Sequence, residues 1–164
     1  MKIRKYIDRA LDLSMTIILG LMAILVAVNV FSRFVLNSSI YWGDELALVL
    51  FVWLTFLGAA VGVREKAHYT FHYFLDRMKG KALKRYMLIG DGLSMIAILI
   101  LLYYSAYVTL RIEAWIMPAM EISRSLVYGA APAGCLFMLY YLIERMIMGL
   151  RSDPGEGNTN SEKA

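Results

Sequence analysis

Apolar residues run through this chain in four long blocks, and polar residues gather between them. Leu13 to Phe31 is 19 residues without a charge, and Leu46 to Val63 is 18. Met87 to Leu110 is 24 residues with one charge, Asp91. Leu126 to Ile143 is 18 uncharged residues, and apolar character resumes after Glu144 and Arg145. A bilayer core about 30 Å thick is crossed by roughly 20 helical residues. In lipid every backbone N–H and C=O must pair within its own segment, so blocks of this length predict helices. Strands are disfavoured because the blocks lack alternation. The pattern predicts an all-α membrane protein with four transmembrane helices, at about 11–32, 44–64, 84–110 and 125–148.

The segment between the second and third spans is too apolar to be simply solvated. Apolar residues recur from Phe71 at Phe74, Leu75, Met78 and Ala82, with Asp76, Arg77, Lys79 and Lys81 off the stripe. This spacing predicts a short interfacial amphipathic helix over about 69–78, lying along the membrane surface. His68, His72, Arg77 and Lys79 are its expected interfacial anchors. Residues 1–151 form one membrane domain in this reading. The Asp, Pro, Gly, Asn and Ser content of 152–164 predicts a disordered tail.

Composition agrees: 60% of residues are hydrophobic, 18% are charged, and the mean hydropathy is +0.59. The distribution of Lys and Arg adds orientation. Four lie before the first span, seven between Arg64 and Arg85, and three from Arg145 onward, against one and two in the other loops. The positive-inside rule places both termini and the central loop in the cytoplasm. Tyr41, Trp42, Trp115 and Tyr128 then fall at the outer interface, where amphipathic rings are favoured. The net charge of +4 reflects topology, not nucleic-acid binding. The basic, apolar N-terminus lacks a small-residue cleavage site, so it is expected to be a retained helix. Cys135 is the only cysteine, which leaves no intramolecular disulfide or Cys-rich metal site.

Few residues offer chemistry. Arg33 closes the first span, and Asp44 and Glu45 open the second behind Trp42. The short link predicts a clasp between the guanidinium and a carboxylate, or a contact with a partner subunit. Glu113, Glu121 and Arg124 lie in the other outer loop. Gly58 and Gly62 form a GxxxG pair, and Ala130 and Gly134 a second small pair; both suit close helix packing. Pro132 predicts a kink in the fourth span. Asp91 is the sole ionisable group well inside a long apolar block, within reach of Arg64, Lys84 or His72. It is either a structural contact or the acid of a self-sufficient, homo-oligomeric small transporter. His68 and His72 are only two potential ligands, and no span carries a histidine to hold haem, so no metal and no cofactor are expected. No phosphate-binding loop, nucleophile elbow or zinc-protease motif occurs, and an enzyme is not expected.

Four stretches together carry a family pattern. They are Asn29-Val-Phe-Ser-Arg-Phe-Val, Ile40-Tyr-Trp-Gly-Asp-Glu-Leu, Leu50-Phe-Val-Trp-Leu-Thr-Phe-Leu-Gly-Ala-Ala, and Val63-Arg-Glu-Lys-Ala-His68. An Arg ends helix one, a Trp-x-acid-Glu opens helix two, a Phe-Val run contains a Gly, and a His follows a basic turn. Ser125-Leu-Val-Tyr-Gly-Ala-Ala-Pro-Ala-Gly adds a Tyr before a Pro and a Gly. The chain resembles the small membrane subunit of tripartite ATP-independent periplasmic (TRAP) transporters, the DctQ-like family. The resemblance implies a four-helix accessory scaffold in the bacterial inner membrane. Its implied partners are a large multi-span subunit, which carries an organic acid with sodium in an elevator-like motion, and a periplasmic solute-binding protein, for which Glu113, Glu121 and Arg124 are candidate contacts.

Overall fold

The computed structural model describes residues 2–38, 40–65, 81–112 and 114–151. Helix α1 is Lys2–Val35, α2 is Tyr41–Arg64, and α3 is Lys81–Arg111. The fourth span is divided into a single turn, α4 (Ser125–Tyr128), and α5 (Ala130–Arg151). The break falls at Gly129, three residues before Pro132. Proline has no N–H for the carbonyl four residues back, and its ring crowds that carbonyl, here Tyr128. The freed geometry is used: the Trp53 indole N–H of α2 donates to the Leu126 carbonyl at 3.0 Å. The expected interfacial helix at 69–78, with His68, His72, Arg77 and Lys79, lies outside the described residues, as do Glu113 and the tail.

All four spans have the length and apolarity to cross a membrane. They do not close into a compact bundle. The principal contacts run from α1 to α2, from α2 to α5, and from α5 to α3, so the helices stand in an open row. The shared core is built at the middle of the row from Leu57, Ala60 and Val63 of α2 and Met138, Tyr141 and Leu142 of α5, with Leu11 of α1. The most apolar stretches of α1 and α3 contain no residue buried within the chain, because each edge helix has one neighbour. In water those exposed faces would be unstable; in a bilayer they need only lipid or another apolar surface.

Polar groups bracket the spans at a constant spacing. Asp12 and Ser32 on α1, Asp44 and Arg64 on α2, Asp91 and Arg111 on α3, and Ser125 and Arg145 on the fourth span are each 20 positions apart. At 1.5 Å per residue this is about 30 Å, the thickness of a hydrocarbon core. Two polar belts result, one at the end carrying both termini and one at the far end. The charged ends of α1 lie outside them, which is why that helix runs to 34 residues.

Candidate functional site

The far belt is built on the turn between α1 and α2. Asn37 takes φ 48°, a left-handed conformation that Asn tolerates. The buried Ser32 organises the turn. Its carbonyl accepts from the N–H groups of Leu36 and Ser38, and its hydroxyl donates to the Ser38 carbonyl at 2.5 Å. The clasp between helices is not the expected one. Arg33 is exposed and makes no ion pair among the described residues. Instead the Asn29 amide, one turn earlier on α1, donates to Asp44 Oδ1 at 2.7 Å. Asn29 and Arg33 are four positions apart and so share a face of α1, and it is the shorter amide, one turn nearer the bilayer centre, that meets Asp44. Gly43 makes room, since a Cβ there would sit 3.3 Å from the Asn29 amide nitrogen.

Glu45 reaches a different element. Its carboxylate accepts the N–H groups of Ala119, at 3.1 and 3.2 Å, and Met120, at 2.9 Å. Residues 115–124 form a tight loop closed by Met117 N–H to Ile122 O (2.8 Å), Glu121 N–H to Met117 O (2.9 Å) and Arg124 N–H to Trp115 O (2.8 Å). Met117 is buried beneath it, and Glu121 adopts φ 55° at its tip. The carboxylate therefore pins the α3–α4 loop to the start of α2 through charge-assisted bonds. Glu121 is exposed and Arg124 half-buried, and neither joins an ion pair among the described residues. Trp42 stands exposed beside Glu45 and lines an apolar cleft of ≈ 290 Å³ with Leu21, Ile24, Leu25, Val28, Leu46 and Leu50, between α1 and α2.

The belt at the other end is a charge network. The half-buried Arg64 donates to Asp12 Oδ1 at 2.8 Å, to Glu65 Oε1 at 3.0 Å, and to the Asp8 carbonyl at 3.5 Å. The Tyr141 hydroxyl, from α5, donates to Asp8 Oδ1 at 2.7 Å, and Arg4 pairs with Glu144 at 3.2 Å. Three helices are tied there. Beside them the buried Asp91 is held at two points by Arg145, with Nε to Oδ2 at 3.1 Å and Nη2 against Oδ1. Of the expected partners, Arg64 is engaged by Asp12 instead, and the side chains of Lys84 and His72 lie outside the described residues; Arg145 enters from the neighbouring helix at the same level.

The small residues divide. A Cβ at Gly134 would lie 2.7 Å from Phe56 Cβ and 2.9 Å from Phe56 O, so α2 and α5 approach to backbone contact there. Ala130, one turn away, is buried. Gly58 faces the end of Met15 on α1 at 3.5 Å, whereas a Cβ at Gly62 would meet nothing within 4 Å. Gly62 is thus no packing site within this chain.

Asp8, Asp12, Tyr141 and Arg145 were not singled out from the sequence as site residues. The signal that was available is the belt spacing, which puts Asp12 opposite Arg64 and Asp91 opposite Arg145.

A four-span α-helical membrane subunit, with its charges gathered at two belts and its edges open, is the class these features define. Residues 22–152 match the family of tripartite ATP-independent periplasmic transporters, DctQ component, and the chain belongs to that family. It is 28% identical to a TRAP transporter small permease protein of Haemophilus influenzae, over 90% of this chain and 89% of that one. It is 30% identical to the sialic acid TRAP transporter small permease protein SiaQ of Vibrio cholerae, over 77% and 75%. A 25% match to the sialic acid TRAP transporter permease protein SiaT of H. influenzae covers 90% of this chain but 24% of that longer protein. The chain is a small permease subunit of a tripartite transporter, and such subunits are not enzymes.

Proposed function

We propose that this chain is the fixed frame of a TRAP transporter that imports an organic acid with sodium. A large multi-span subunit carries the substrate in an elevator-like movement against the row of helices. A periplasmic solute-binding protein delivers substrate at the far end, where Glu121, Arg124, Arg33 and Trp42 are available for contact and Glu113 is a candidate by its place in the sequence. Both termini are cytoplasmic, in the inner membrane of a bacterium, as the Lys and Arg distribution favours.

The carrying observation is the open row: apolar helix edges about 30 Å tall, bracketed by two belts of polar groups, one of them tied by ion pairs, that fix the frame's depth in the bilayer. A moving transport domain needs such a frame to resist being dragged. The match to a quarter of SiaT supports a partner of larger size, since the rest of that permease accompanies a stretch like this one in a single chain. Asp91 does not favour a self-sufficient transporter, because Arg145 holds it at two points. The test is purification of the tagged chain from native membranes in nanodiscs, with mass spectrometry of what accompanies it. A stoichiometric multi-span protein is expected. A homo-oligomer without another membrane protein would refute the frame reading.

A further inference from the structure

Hydroxyls inside a bilayer must find an acceptor. Those of Ser14, Thr16, Thr55, Ser105 and Thr109 each bond a carbonyl of their own helix, at 2.7 to 3.1 Å. A tyrosine hydroxyl stands too far from its own backbone to do this. Tyr103, Tyr104 and Tyr107 lie on one arc of α3 and are 68%, 61% and 50% exposed. None of their hydroxyls has an acceptor among the described residues. The rings themselves are ordered: Tyr103 meets Tyr104 edge-to-face at 5.4 Å, and the Arg111 guanidinium lies over Tyr107 at 5.1 Å.

Depth makes the arrangement informative. Counting back from Arg111 in the far belt, Tyr107, Tyr104 and Tyr103 lie about 6, 10 and 12 Å into the hydrocarbon. Helical side chains lean toward the helix N-terminus, which for α3 is toward the bilayer centre. The phenols therefore point away from the nearer water surface. Lipid tails offer no acceptor at that depth, but a protein does, through polar side chains or carbonyls of broken helices. The opposite edge of the row differs. On α1 the exposed positions outside the α1–α2 cleft, Leu13, Ile17, Ala27 and Val30, are aliphatic and suit acyl chains.

The geometry points to the far half of α3, at Tyr103, Tyr104 and Tyr107, as the edge that docks the larger membrane subunit, with the three phenols donating to acceptors on that subunit. This rests on the frame reading above and adds which edge of the row is used: α3 faces protein and α1 faces lipid. Ala97, exposed two turns before Tyr104, lets a partner helix approach the same face closely.

The experiment uses the whole transporter in its native membrane, with a photo-crosslinking amino acid placed at Ile100 on α3 or at Ala27 on α1. An adduct with the large subunit is expected from position 100 and not from position 27. In parallel, the Tyr103→Phe, Tyr104→Phe, Tyr107→Phe triple variant keeps the rings and removes only the hydroxyls. Recovery of the large subunit with it should fall about tenfold, as expected for losing three interhelical hydrogen bonds, while the isolated subunit remains monodisperse and helical. Adducts with the large subunit from position 27 alone would overturn the edge assignment and leave the frame reading intact. Adducts from position 100 with lipid only, or with a second copy of this chain, would overturn it too, as would undiminished recovery of the large subunit with the triple variant. If the unaltered chain brings down no large subunit, the frame reading itself has failed.

Discussion

Asp91 of α3 and Arg145 of α5 meet side by side at the level where Asp12 of α1 meets Arg64 of α2. A paired guanidinium fork is a geometry that a single lysine does not reproduce. Breaking a buried pair by deleting one member leaves an uncompensated charge and costs about 3–5 kcal/mol. Asp91→Leu alone and Arg145→Met alone are each expected to lower the yield of folded subunit, read by gel filtration in mild detergent. Combining them removes both charges and should restore most of the yield. A double variant as poor as the worse single would show that the pair does more than hold α3 to α5.

Much of this fold is legible from hydropathy alone, because the bilayer admits few alternatives to a helix of span length. The residues that pair within the belts are harder to read. Arg33 is 11 positions from Asp44 along the chain and Asn29 is 15, yet it is the more distant residue that bonds Asp44, so closeness in sequence misleads here. Glu45 binds backbone N–H groups more than 70 positions away, a contact that depends on the loop closing over Met117. Gly58–Gly62 and Ala130–Gly134 share one sequence pattern, yet only the second brings backbones together. The period says which residues share a face, not whether another helix lies against it.

Glu45 fixes the α3–α4 loop through two backbone donors, and bonds to a charged group contribute about 1.5–3 kcal/mol each. Glu45→Ala should loosen the loop and lower assembly or membrane level more than the transport rate of each assembled complex. Glu45→Gln keeps one acceptor oxygen and should fall between. Fluorescence of Trp115, 63% exposed on this loop, reports the change directly. Normal assembly with abolished transport would instead give the acid a direct part in transport.

Gly134 sits where α2 and α5 touch. An added methyl would press on Phe56 backbone atoms, and overpacking of this kind costs about 1–3 kcal/mol. Gly134→Ala should lower the melting temperature of the purified subunit. Gly62→Ala meets open space within the chain and should leave it unchanged or slightly higher, since Ala is the better helix former. Equal effects at the two positions would contradict the observed packing.

Arg33 is exposed at the far belt and bonded to no described residue, while its neighbours Asn29 and Asp44 close the hairpin. Surface substitutions away from such features change stability by about 0.5 kcal/mol or less. Arg33→Ala should therefore leave the isolated subunit as stable as before, whereas Asp44→Ala should destabilise it by about 1 kcal/mol through loss of the Asn29 bond. Any fall in uptake caused by Arg33→Ala must then arise outside this chain, in contact with a partner or with lipid headgroups. Charge reversal at Glu121 and Arg124 separates these sources, because headgroup binding would survive it and docking of a periplasmic protein to the loop would not. Uptake that remains normal in the Arg33 variant and in the loop variant would remove the far belt as a docking surface and confine partner contacts to the spans.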